Sequence, residues 1–149
     1  MSKAASERSL VFFIIAAIMI ILVLVLPFAY RIDIGPGPDS IRAMTWDYIE
    51  STWYSGFRFW NPLDTLPYTI LRLVFAVYLA RFCLGSTTAK TTVLIGILAE
   101  LQPIIVSAPL VYFIDWSGDP LVPLYIPVPI MLLLGIILVL ILKGRYAKD

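Results

Sequence analysis

From Ser9 to Tyr30 the chain carries no charged residue, and Leu10 to Leu26 is an unbroken run of Val, Ile, Leu, Phe, Ala and Met. A helix rises about 1.5 Å per residue, so this stretch is long enough to cross a hydrocarbon core of roughly 30 Å. Lys3 and Arg8 precede it, as they would a signal peptide, but the run exceeds the ~7–15 residues of a signal h-region. Pro27-Phe28-Ala29-Tyr30 is also a poor cleavage site, and a retained signal-anchor is expected. Composition agrees: 60% of the residues are apolar and 14% charged, against about 25% charged in an ordinary soluble domain.

Two absences bound the chemistry. With no histidine and a single cysteine, Cys83, the chain cannot run Ser-His-Asp or Cys-His catalysis, bind zinc or haem through histidine, or close an intrachain disulfide. A net charge of +1 argues against a nucleic-acid-binding face. No cofactor and no metal are expected.

Three further apolar stretches complete an expected all-α membrane protein, an antiparallel four-transmembrane-helix bundle forming a single domain. The spans are placed at about 10–30, 65–84, 91–113 and 120–142. Asn61-Pro62 and Asp64 open the second and Gly85 closes it. The fourth is crowded with Pro120, Pro123, Pro127 and Pro129. Asp119 with Pro120 offers one helical start, and an extended entry buried against other helices offers another. Lys3, Arg8, Arg81, Lys90, Lys143, Arg145 and Lys148 fall on the face bearing the termini, whereas the other face has Arg31, Arg42 and Arg58. The positive-inside rule therefore predicts a multi-pass protein of the cell membrane with cytoplasmic termini and with 31–64 and 115–120 external.

The external segment opens with Gly35-Pro36-Gly37-Pro38, a turn-rich linker. Beyond it, Trp46, Ile49, Trp53, Phe57 and Trp60 fall within roughly an 80° arc when wound at about 100° per residue. This spacing predicts an amphipathic interfacial helix over about 40–60, its aromatic stripe resting at the headgroups or lidding the bundle.

The candidate polar site lies inside the membrane. Arg72 sits about 10 Å from the external end of its span and Glu100 about 14 Å from the internal end of the next, at 1.5 Å per residue. In a ~30 Å core the two depths differ by about 6 Å, within reach of two long side chains. Buried charges need partners, so an Arg72–Glu100 ion pair is expected. Gln102 and Pro103 follow Glu100, and Pro103 frees the carbonyl of Ala99. A carboxylate, an amide and a freed carbonyl at mid-depth also resemble the physical design of proton- or cation-coupled carriers.

Elsewhere the signals are weaker. The hydroxyl-rich turn from Ser86 to Thr92 lacks the second glycine of a phosphate loop and is expected to cap the third helix. Ser86 with Lys90 is formally a Ser-Lys pair with no third residue behind it. Asp115-Trp116-Ser117-Gly118-Asp119 lacks the ligand order of a calcium loop. The resulting expectation is a non-enzymatic accessory or scaffold subunit in the lipid bilayer, as a homo-oligomer or with a membrane-protein partner. The alternatives are a small oligomeric carrier or channel using Glu100, Gln102 and Arg72, and a membrane enzyme acting on lipid-like substrates.

Overall fold

The computed structural model describes residues 3–33, 38–114 and 123–146. The chain runs α1 (Lys3–Val25), β1 (Pro27–Asp33), β2 (Ser40–Ala43), β3 (Trp46–Glu50), β4 (Ser55–Phe59), α2 (Pro62–Cys83), α3 (Ala89–Ile114), β5 (Pro123–Pro127) and α4 (Ile130–Tyr146). The Gly35–Pro38 linker falls largely outside the described residues. So do the Asp115–Asp119 loop and the Asp119-Pro120 helix start.

Helix α2 begins and ends where the sequence signals put it. The Asn61 side chain accepts from the Leu63 backbone N–H, Pro62 occupies the first turn, and Asp64 adds negative charge at the dipole's positive end. At the other end Gly85 takes a left-handed φ of 72°, the conformation glycine adopts without a Cβ penalty. Ser86 N–H and its hydroxyl both return to the carbonyl of Arg81. Thr88 then caps α3, its Oγ1 accepting from Thr91 N–H at 3.2 Å.

The all-α four-helix bundle is not what forms. A five-stranded antiparallel sheet, in the order β4-β3-β2-β1-β5, stands beside the four helices. Among the described residues only two helices are long and apolar enough to cross a membrane, Pro62–Cys83 and Ala89–Pro109; the apolar parts of α1 and α4 described are shorter, Phe12–Val25 and Ile130–Ile141. The first apolar run stops being helix at Val25 because Pro27 has no N–H and biases Leu26 away from helical geometry. Its last residues, Pro27 to Tyr30, are strand β1. Likewise Pro123–Pro127 enters α4 as strand β5, and the helix starts only at Ile130.

The interfacial helix over 40–60 is replaced by β2, β3 and β4. Within each strand charged and apolar residues alternate, as in Ile41-Arg42, Trp46-Asp47-Tyr48 and Phe57-Arg58-Phe59, and this two-residue period sends them to opposite sheet faces. Register pairs Arg42 with Asp47 and Asp47 with Arg58, so the charges share one face. Trp46, Tyr48 and Phe57 form an edge-to-face aromatic ladder on the other, with ring centroids 5.4 and 5.1 Å apart.

Helix α2 contacts α1, α3 and α4. Its first half lies beside the sheet, Thr65 donating to the Met44 carbonyl and Tyr68 packing on Tyr125 at 4.6 Å. Its second half carries the main core, where Phe75 and Leu79 meet Met19 and Val23 of α1, Ala99 of α3 and Met131 of α4. Phe75 fills the gap left by two glycines: a Cβ on Gly96 would come within 2.8 Å of the ring and one on Gly135 within 2.5 Å.

Candidate functional site

Arg72 stands midway along α2, fully buried, at the level where sheet gives way to helices. Its Nη1 donates to the Pro27 carbonyl at 3.2 Å. Its Nη2 donates to the carbonyls of Phe28 at 3.4 Å and Val128 at 2.9 Å and to Glu100 Oε2. Those carbonyls belong to the start of β1 and the link between β5 and α4, which the proline-rich sequence leaves short of helical partners. One guanidinium, presenting donors in a planar fork, thus gathers α2, α3, β1 and the β5–α4 link. Only its Nε lacks a partner.

Glu100 is committed on both sides. Besides the ion pair with Arg72, its Oε1 accepts from Leu132 N–H at 3.3 Å. Leu132 lies in the first turn of α4, where backbone N–H groups have no intrahelical acceptor and the helix dipole favours negative charge. Glu100 therefore caps α4 from a neighbouring helix.

Gln102 of α3 reaches into α2. Its Oε1 accepts from Leu71 N–H at 2.8 Å while its Nε2 donates to the Pro67 carbonyl at 2.7 Å. Proline inside a helix removes a donor and crowds the preceding turn, and the carboxamide closes on both ends of the rung below it. Replacing Gln102 with Leu is expected to destabilise the protein by about 0.5–1.5 kcal/mol, the net worth of a hydrogen bond, because Leu71 N–H and the Pro67 carbonyl stand at i→i−4 spacing in α2 and can bond each other once the amide is gone. Thermal unfolding in detergent measures this, and an unchanged midpoint would show that the amide is dispensable. Pro103 is fully buried within α3 beside these groups.

The five aromatic-stripe residues do not share one face, although Trp46 and Phe57 are in contact. Trp46 and Phe57 lie on one sheet face and Ile49 on the other, buried; Trp60 follows β4, and Trp53, 95% exposed, stands at the β3–β4 turn. Trp46 and Trp60 nevertheless have defined partners. Trp46 Nε1 donates to the Val25 carbonyl at 2.8 Å, tying the sheet to the end of α1. Trp60 takes two guanidinium groups, Arg42 at 4.7 Å and Arg58 at 4.1 Å from the ring centroid.

This second cluster was missed by helical periodicity, although two-residue alternation of charge would have found it. Arg58 pairs with the fully buried Asp47 at 3.1 Å, and Arg42 Nη1 donates to the Tyr125 hydroxyl. Nearby, Tyr30 donates to Asp39 Oδ2 at 3.2 Å. Desolvation, ahead of that bond and the charges of Asp39 and Glu50, raises the Tyr30 pKa above its ordinary value. Among the described residues no cluster of three or more acidic or cysteine side chains could hold a metal ion. No family model, curated protein or solved structure matches the chain.

Proposed function

We propose that this chain is a non-enzymatic membrane protein in which the α2–α3 pair crosses the bilayer and the sheet stands outside it, serving as an accessory or scaffold subunit. The observation that carries this reading is the closure of the polar junction on the protein itself: both Glu100 oxygens, both ends of the Gln102 amide and both Arg72 Nη groups are bonded to protein. A carrier keeps such groups for its cargo. A scaffold uses them to fix its helices.

The bilayer itself is favoured by what the helices expose. Only 39% of the apolar window in each of α2 and α3 is buried, whereas the core helix of a soluble protein is mostly buried. Ile70, Val74 and Val77 of α2 and Leu94, Leu98, Leu101 and Ile105 of α3 face outward while Arg72 and Glu100 face inward. Exposed apolar surface around a charged interior suits lipid rather than water. Arg81 and Lys90 flank the α2–α3 turn, which the positive-inside rule keeps cytoplasmic.

The test is Glu100→Gln in proteoliposomes. The expected result is a thermal midpoint lowered by several degrees with proton and cation leak no different from that of the unaltered chain. A wild-type flux that this substitution abolishes without loss of stability would replace the scaffold with a carrier.

A further inference from the structure

The two edges of the sheet differ. On β5, Tyr125 N–H points away from β1 and is taken by Ser107 Oγ of α3 at 3.1 Å. Pro123 and Pro127, the residues at the same outward phase, have no N–H to offer. That edge is therefore closed to a further strand. On β4 the phase is set by Trp60 N–H bonding the Thr45 carbonyl and Ser51 N–H bonding the Tyr54 carbonyl. Antiparallel alternation then turns the N–H and C=O groups of Ser55, Phe57 and Phe59 away from β3. Among the described residues β3 is the only strand paired with β4, and Phe57 and Phe59 are 61% and 80% exposed. No proline, lysine or bulge blunts this edge.

We propose that β4 pairs antiparallel with β4 of a second copy of this chain, about a two-fold axis at Phe57, making one sheet continuous across both copies. The register is self-complementary. Ser55, Phe57 and Phe59 meet Phe59, Phe57 and Ser55 of the other copy, so every outward main-chain group finds a partner and the two Phe57 rings meet at the axis. On the opposite face Arg58 lies across from Gly56, so like charges are not directly opposed, and Asp47 already neutralises each guanidinium. Because β5 is closed, assembly stops at two copies instead of growing into a fibre. The pairing does not depend on whether the helices lie in a bilayer.

The experiment uses the full chain purified in detergent, in a Cys83→Ala background. Phe57→Cys should form a disulfide-linked dimer under mild oxidation, since residues at the axis face each other at about 5.5 Å between Cα atoms. Ile126→Cys on β5 should not. Phe57→Pro removes the outward N–H together with the ring that packs on Trp46 and Tyr48, leaves the main-chain hydrogen bonds between β4 and β3 in place, and should weaken the dimer about tenfold or more in analytical ultracentrifugation. If that variant does not fold, the two cysteine variants decide alone. A monomer with no cross-link through position 57, or equal cross-linking through 57 and 126, overturns the proposal.

Discussion

Replacing Glu100 with Leu is expected to remove about 3–5 kcal/mol of stability, because Arg72 would keep its charge in a buried site without the opposing carboxylate. Arg72→Met should cost a similar amount, leaving the carboxylate uncompensated. The informative variant is the double substitution. Exchanging a buried ion pair for apolar side chains is often neutral or stabilising, but here Arg72 also serves the carbonyls of Pro27, Phe28 and Val128, and Glu100 serves Leu132 N–H. The carbonyls of Phe28 and Val128 keep backbone donors in Val128 and Ile130, so the double variant should stay less stable than the unaltered chain by roughly 1–3 kcal/mol for Leu132 N–H and for the Pro27 carbonyl, where these lose their partner. Reversible unfolding in mixed micelles, run as a double-mutant cycle, reads this directly. A double variant as stable as the wild type would reduce the junction to a simple pair.

A second large effect is expected at Phe75. Its ring is 1% exposed and occupies the space that Gly96 and Gly135 leave open. Phe75→Ala should cost about 3–5 kcal/mol, since neither glycine carries a side chain that can relax into the cavity. The two sites are also coupled. Gly135→Ala alone should cost about 1–3 kcal/mol through overpacking, its new Cβ meeting the ring at 2.5 Å. In the Phe75→Ala background the same methyl meets only the end of the Leu79 side chain, at 3.3 Å, and most of its cost should vanish. Additive losses would show that helix α4 does not close on this ring.

What could be read from the sequence depended on whether its signal was local. Helix α2 was legible because Asn61-Pro62 and Gly85 act within one turn of its ends. The Arg72–Glu100 pair was legible because two charges at similar depth in apolar helices have few other partners. The sheet was not, for two physical reasons. Trp46, Ile49, Trp53, Phe57 and Trp60 happen to satisfy a helical period, masking the two-residue alternation of Arg42, Asp47 and Arg58 with their apolar neighbours. In addition, β1 finds β5 from across α2 and α3, and no local pattern announces a pairing that distant. For the stretch holding Pro123 and Pro127 the sequence left a helix opened at Pro120 and an extended entry both open; the two prolines occupy outward positions of edge strand β5, where a missing N–H costs nothing. The role of Gln102 was hidden because its partners are main-chain atoms near Pro67, which residue type does not reveal.

The most direct test of a sealed polar junction inside lipid-facing helices is photolabelling of the intact chain in native membranes with a carbene precursor that partitions into the bilayer, read by peptide mass spectrometry. Modification is expected on the outward residues of the two long apolar helices, Val74 and Val77 of α2 and Leu98 and Leu101 of α3, with Arg72 and Glu100 untouched. Labelling of those four residues by a water-phase radical instead, or reaction of Glu100 with a water-soluble carbodiimide, would contradict it.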